Sequence, residues 1–291
     1  MAFNAISEPL PMSLDLHIHS TFSDGTLSPA EVVNLACRKG LTAIALADHD
    51  TVAGTKPAVA AAAGTSLEVI PGLEISVLHN GTSLHLLGYL MDTADPGLNR
   101  VLAGLQKGRD ERNAAIIKRL LDQGIAVSPG DILRVSQTGQ TGRPHIARVL
   151  VDKGIVRTIL QAFEQYLGRD GLAYASRPVL NAAEAIGVLR QAGGIAVLAH
   201  PLQIDASLER LPGLLDELVP LGLDGLEAYY PTHSAGVRRK LRAAANRYGL
   251  VLTGGSDFHG DIRPGTSLAG GRNVTVPDEL LGLLKERAGS R

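Results

Sequence analysis

The chain has 291 residues, 45% apolar and 20% charged, and a net charge of −1. This is the balance of an ordinary globular chain, and it excludes a protein that coats long nucleic acid by charge alone. The single cysteine, Cys37, excludes an internal disulfide and a thiolate metal cluster, and a chain with no Trp, four Phe and six Tyr must build an aliphatic core.

The opening MAFNAISEPLPM has neither a basic n-region nor an apolar h-region, so no signal peptide is expected. No apolar run approaches the roughly 20 residues that span a bilayer. A cytoplasmic protein with no membrane partner is the expectation.

Strands are expected at 14–19, 43–48, 67–75, 84–90, 194–200, 223–229 and 250–257, with 273–276 as a candidate last strand. Helical patterns fill most gaps. In SPAEVVNLACRKG, Ser28 is an N-cap, Pro29 takes the first position, Glu31 the third, and Gly40 ends the pattern. NAAEAIGVLRQAGG, SLERLPGLLDELVPLG and AGVRRKLRAAANRYG read similarly. Such alternation predicts an α/β fold on a largely parallel sheet, open or closed into a barrel.

The stretch 100–178 breaks the rhythm with helical patterns and no convincing strand. It holds 13 Lys and Arg against 7 Asp and Glu, a net of +6 that leaves −7 for the rest. It is expected to be a helical insert between two parts of a barrel, 13–99 and 179–291.

Polar residues recur near strand C-termini. In LDLHIHSTFSDGT, strand alternation puts His17 and His19 on one face with Asp15, and Leu14, Leu16 and Ile18 on the other. Asp24 follows five residues after His19. ALADHDT places His49 between Asp48 and Asp50; VIPGLEIS carries Glu74, SLHLLGYL His85, GGIAVLAHP His200, and LTGGSDFH both Asp257 and His259. Burying any one of these alone is costly, whereas together they can share a cation. In a β/α barrel, strand C-termini converge on one face. Nine N and O donors exceed what one ion needs, so two or three divalent ions are expected, with Zn, Mn and Fe all compatible. His79, in LHNGT, reads as a surface residue. His145 stands at a helix start beside Arg143, and His233 follows a strand end on the side of the site; either can equally be a cap or surface histidine.

In that order, DLHIHSTFSDGTLSP, ALADHDTVAG, PGLEIS, HLLGY, AHP and GSDFHG resemble the PHP family, named for polymerase and histidinol phosphatase domains. GRPHIARVLVDKG is similar to its branch of small bacterial phosphoesterases, which remove the 3′-phosphate from 3′,5′-nucleoside bisphosphates and in some members trim short 5′-phosphorylated RNA. The resemblance implies a distorted (β/α)7 TIM-like barrel with a trinuclear metal centre. His17, His19, Glu74 and Asp257 would hold one ion; Glu74, His85 and His200 a second; and Asp24, His49 and His259 a third. Two departures stand out: Ala47 replaces the usual Thr in LADHD, and YLGRDGLAYASRP differs from the Val-containing run of the family.

The chemistry expected from this set is phosphoester hydrolysis by a hydroxide bridging the metal ions, Mn²⁺ first with Zn²⁺ or Fe²⁺ as alternatives. No G-x-S-x-G and no P-loop is present. Arg143 is suited to a bidentate grip on a second phosphate with His145 assisting. His233 is expected to protonate the leaving group, and Asp48 to orient His49 or shuttle protons. The expected partner is a small phosphorylated nucleotide or a short RNA end, and no protein partner is evident. Histidinol phosphatase and a non-catalytic docking module are the alternatives.

Overall fold

The computed structural model describes residues 14–136, 141–263, 265–270 and 275–290. Each of the seven main apolar runs forms a strand: β1 (Leu14–Ile18), β2 (Ala43–Leu46), β3 (Glu68–His79), β4 (Thr82–Tyr89), β5 (Ile195–Leu198), β6 (Gly225–Tyr229) and β7 (Val251–Gly254). They lie in one sheet in sequence order. The sheet curls until its edges meet, where Ile18 bridges Phe258, His19 N–H donates to Phe258 O, and Asp257 N–H donates to His17 O. The candidate strand at 273–276 falls partly outside the described residues. Its last two, Thr275 and Val276, lie in no strand, and Val276 packs under Leu14 and Ala43.

The sheet is less parallel than expected, because β4 runs antiparallel to both β3 and β5. The cause is local. Asn80 and Gly81 have φ of 47° and 76°, the pair of left-handed residues that a two-residue hairpin requires. The Asn-Gly signal was present inside the LHNGT turn.

Strict alternation also fails in β1. Leu14 and Asp15 pair with Ala43 and Ile44, but Ile18 pairs with Leu46, so one extra residue is accommodated between them. Leu16 therefore packs with Ala45, Ala47, Leu87 and Val197, while Ile18 packs with Ile44 and Val32. Asp15 turns away from the histidines; its carboxylate accepts from Ser256 N (2.9 Å), Ser256 Oγ (2.6 Å) and Ala269 N (2.7 Å). Bulges of this kind re-aim side chains beside sites.

Helices α1 (Pro29–Arg38) and α2 (Thr55–Ala62) cover the first strands, and α1 begins with the expected Ser28–Glu31 capping box. Between β4 and β5 the described residues contain α3 (Pro96–Asp122), α4 (Pro129–Ser136), α5 (Arg143–Asp152), α6 (Ile159–Ala162) and a π-turn at Phe163–Leu167, and no strand paired into the sheet. The boundary expected at residue 100 lies within α3. Leu98, Leu102 and Leu105 join the apolar layer over the sheet, whereas Ile116 and Leu120 join a second cluster with Ile146, Leu150 and Leu167. The later strands are covered by α7 (Ala182–Gln191), α8 (Leu211–Leu218) and α9 (Ala235–Tyr248). Last comes α10 (Glu279–Gly289), which packs Leu280 and Leu284 against the N-terminal ends of the strands.

Close approach at the β1–β7 seam depends on Gly255. A Cβ there would stand 2.3 Å from His17 N and 2.5 Å from His17 Cβ. Gly255→Ala is expected to destabilise the fold by about 1–3 kcal/mol, the usual cost of overpacking. A urea denaturation midpoint equal to wild type would show that the seam has room.

Candidate active site

The expected donors come together. At their centre is Glu74, 1% exposed, delivered by β3. Its Oε1 lies 2.8 Å from His85 Nδ1, 3.0 Å from His200 Nε2 and 3.6 Å from His17 Nε2. Its Oε2 lies 2.9 Å from His49 Nδ1 and 3.4 Å from His19 Nε2. Asp257 Oδ1 faces His19 Nε2 (3.3 Å), His259 Nδ1 (3.4 Å) and His17 Nε2 (3.6 Å). Asp24 Oδ1 lies 3.4 Å from His259 Nε2, and its Oδ2 lies 3.8 Å from His49 Nε2. Four overlapping donor groups result: His19 with Asp24, His49 and His259; His17 with His19 and Asp257; His17 with Glu74 and His200; His49 with Glu74 and His85. His200 and Asp257 achieve their placement with φ of 25° and 50°, strained values for side-chain-bearing residues of the kind that cluster at functional sites.

The set fits divalent ions. The Nε2 atoms of His17 and His19 and Oδ1 of Asp24 are buried without a hydrogen-bond partner, and buried polar atoms are seldom left so. Burial disfavours charge on His17, but Glu227, Asp257 and Glu74 outweigh it and hold its protonation well above the imidazole range. His19 is pushed the other way, down to about 3, by burial and by His259. Three carboxylates among six imidazoles thus call for cations, and the donors are all nitrogen or oxygen.

A supporting layer, absent from the sequence reading, orients these donors. Glu227, fully buried on β6, accepts from His17 Nδ1 (2.9 Å) and from the His200 backbone N–H (2.7 Å). This fixes the tautomer that turns His17 Nε2 inward, the arrangement common behind metal-ligating histidines. Tyr230 OH donates to Asp257 Oδ2 (2.6 Å) and accepts from Gln203 Nε2 (2.7 Å) and Arg263 Nη2 (2.9 Å). Arg263 also ion-pairs with Asp257 Oδ2, leaving Oδ1 to the histidines. No periodic pattern distinguishes such single residues from ordinary strand and loop positions.

Asp48 and His233 stand off the cavity wall. Asp48 accepts from Ser20 N (2.7 Å), Ser20 Oγ (2.6 Å) and Ser23 Oγ (2.6 Å), so both its oxygens tie down the loop that carries Asp24. It positions that loop and is not placed to shuttle protons. His233 is fully buried; its Nδ1 bonds Ala228 O at 2.9 Å, its ring packs on Tyr230, and its Nε2 has no hydrogen-bond partner. His145 caps α5, Nδ1 accepting from Gly142 N–H at 2.9 Å. His79 bonds Glu217 at 2.6 Å, away from the cluster.

A cavity of about 430 Å³ opens beside the donors, with Asp24, His49 and His85 on its wall. It is also lined by Arg109, Arg112, Arg143 and Arg177. Only Arg143 of these was singled out from sequence; the others were visible there only as a surplus of basic residues. Asp50 Oδ2 pairs with Arg109 Nη2 (2.5 Å) and Arg177 Nη2 (2.8 Å), and both arginines keep its carboxyl ionised against the cost of burial. Arg112, 6% exposed, bonds Asn113 Oδ1 at 2.8 Å. Burial, with Arg109, Arg143 and Arg177 nearby, pushes its guanidinium down to about 8. Five arginines, Arg169 included, line the cavity, and among the described residues Asp50 is the one carboxylate ion-paired with any of them, which makes an anion site.

The model of the PHP domain matches residues 15–167, more than half of the chain. The chain is 34% identical over 269 residues to a 3′,5′-nucleoside bisphosphate phosphatase of Chromobacterium violaceum, covering 92% of each. It is 36% identical over 245 residues to a 5′-3′ exoribonuclease of Haemophilus influenzae, covering 84% of this chain and 89% of that one.

The chain belongs to the PHP family.

A crystal structure described as a metal-dependent phosphoesterase from Bifidobacterium adolescentis superposes with a TM-score of 0.86 at 33% identity, covering 96% of this chain and 98% of that one. Its likeness accords with the curled sheet and its helices. Among the described residues, no helix is long and apolar enough to cross a membrane.

Glu227→Gln is expected to weaken divalent-metal binding about 10- to 100-fold, as loss of such outer partners does. The melting temperature of the metal-free protein should also fall, because the variant takes away the carboxylate that pairs with the His17 proton and turns an amide NH2 toward one of the two donors. Metal titration with Mn²⁺ reads the first quantity and thermal denaturation the second; unchanged Mn²⁺ affinity would deny Glu227 its orienting part.

Proposed function

We propose that this PHP protein removes the 3′-phosphate of 3′,5′-nucleoside bisphosphates. The broader class needs no proposal: with its family and its phosphatase and phosphoesterase relatives, the chain is a metal-dependent phosphoesterase. The substrate reading is carried by one observation, a cavity with two kinds of anion-seeking wall. Asp24, His49 and His85 belong to the metal-donor cluster, and Arg109, Arg112, Arg143 and Arg177 gather opposite charge beside it. A 3′,5′-bisphosphate carries two phosphates on one ribose and so satisfies both.

We assign His17, His19, Glu74 and Asp257 to one ion, Glu74, His85 and His200 to a second, and Asp24, His49 and His259 to a third. Two to three divalent ions are proposed in all, with Mn²⁺ tried first and Zn²⁺ and Fe²⁺ as alternatives. Bound there, divalent ions supply charge neutralisation at the scissile phosphoryl group and a water-derived nucleophile near neutral pH. The chain's own residues do the positioning. Glu227 and Tyr230 fix His17 and Asp257 in place. Arg112 and Arg143 donate to the second phosphate, a geometry that suits the planar guanidinium fork. Asp50 holds Arg109 and Arg177 in register beside them. His145, engaged in its cap, is proposed to shape the site rather than to grip phosphate.

A 5′-phosphorylated RNA end offers the same pair of groups on its first nucleotide, a 5′-phosphate and a 3′-linked phosphodiester. The relative named as a 5′-3′ exoribonuclease supports extending the reading to short RNA. Histidinol phosphate, with one phosphate, leaves the arginine wall without a counter-charge. A docking module has no use for nine clustered donors. A nucleotide substrate fits a cytoplasmic enzyme.

With Mn²⁺ supplied, 3′,5′-adenosine bisphosphate is expected to yield phosphate and 5′-AMP. Arg112→Ala should raise KM for the bisphosphate roughly 10- to 100-fold, the size of a lost charge-assisted hydrogen bond, with a much smaller effect on a simple monophosphate ester. Chromatography of products and initial rates check both. Formation of 3′-AMP, or release from histidinol phosphate alone, would overturn the assignment.

A further inference from the structure

The same cavity has a part that neither phosphate uses. Two of the chain's ten Phe and Tyr residues, Phe163 and Tyr174, line it, and both are half-buried. Phe163 opens the π-turn Phe163–Leu167, which closes through a 2.7 Å bond from Gly168 N–H to Phe163 O. Only glycine closes it this way, since a Cβ on residue 168 would stand 2.7 Å from that oxygen. Gly171 is under the same restriction: a Cβ there would lie 2.4 Å from Tyr166 C. Single π-turns inside helical segments recur at functional sites. This one holds Arg143 to the cavity, because Arg143 Nη1 donates to Leu167 O at 3.2 Å and its guanidinium lies 5.7 Å from the centre of the Phe163 ring. The aromatic face and a proposed phosphate-gripping arginine are therefore one unit.

We infer that Phe163, with Tyr174 beside it, is the platform on which the substrate's nucleobase stacks. The inference rests on the nucleotide reading above and goes beyond it in assigning the base subsite. Stacking suits any base because every base has a π-face. Tyr174 comes from the YLGRDGLAYASRP segment and Phe163 from the turn that leads into it.

The test compares two substrates that differ only in the base, 3′,5′-adenosine bisphosphate and ribose 3,5-bisphosphate, on wild type, Phe163→Leu and Phe163→Tyr. Leu keeps the packing and loses the π-face; Tyr keeps both. Phe163→Leu should raise KM about tenfold for the nucleotide, within the range of one lost stacking contact. It should leave kcat within about twofold and change the base-free KM by no more than about threefold, because the Leu167 carbonyl still holds Arg143 once the ring is gone, and Phe163→Tyr should restore wild-type behaviour. Equal losses on both substrates, or none on either, would overturn the platform. Should wild type release no phosphate from either compound, the nucleotide reading fails by itself. Calorimetric titration with 5′-AMP then still decides the platform: weaker binding to Phe163→Leu sustains it, and equal binding removes it.

Discussion

Glu74 is a carboxylate with almost no contact with water and five imidazoles around it, and much of the architecture is explained by what it takes to hold it there. A buried carboxylate is costly unless it is paired and hydrogen-bonded. Its neighbours arrive from β1, β4 and the loops after β2 and β5, so no local stretch of chain can make the site. The curled sheet brings these strand ends to one place. The β3–β4 hairpin adds His85 from an antiparallel strand, and the irregularity in β1 turns His17 inward while sending Asp15 to tie the loop after β7. Left-handed backbone at His200 and Asp257 is one local cost of this convergence.

The charge arrangement explains why the cluster suits cations. Without them, protons on His17, His49 and His259 serve as the counter-charge to Glu74, Asp257 and Asp24, each favoured by the neighbouring carboxylates against its own burial. Divalent ions can replace those protons and reach the same buried oxygens and nitrogens. On the other side of the cavity the sign is reversed, with guanidinium groups outnumbering their one carboxylate partner, Asp50. With cations bound, both regions attract anions, and a bisphosphate, whose two phosphates carry about −1.5 to −2 each, can place one in each, which is the electrostatic logic of the proposed substrate.

Much of this was legible in the sequence because strand ends and metal-donor residue types leave local marks. His17, His19, His49, Glu74, His85, His200, Asp257 and His259 each stand at or beside an apolar run, and all seven main runs became strands. The direction of β4 was misjudged because the Asn80-Gly81 hairpin was read as a turn without its consequence for strand polarity. The pairing of Leu16 and Asp15 with the wrong faces came from assuming an unbroken period of two where the ladder slips. Asp48 looks catalytic by proximity along the chain, yet Ser20 and Ser23 claim both its oxygens, while the Ala228 carbonyl claims Nδ1 alone of His233. Glu227, Tyr230, Arg112 and Phe163 were not legible at all. Each acts through partners 27 to 210 positions away or through a cavity that exists only after folding.

The central claim is that the Glu74 cluster is a metal centre on which activity depends. Elemental analysis of the purified protein and of Glu74→Gln, paired with phosphate release before and after chelation, tests it most directly. The account predicts two to three divalent ions per chain in the wild type, fewer in the variant, and activity lost on chelation and regained with Mn²⁺. A chain that carries no ion yet releases phosphate at the full rate would contradict it.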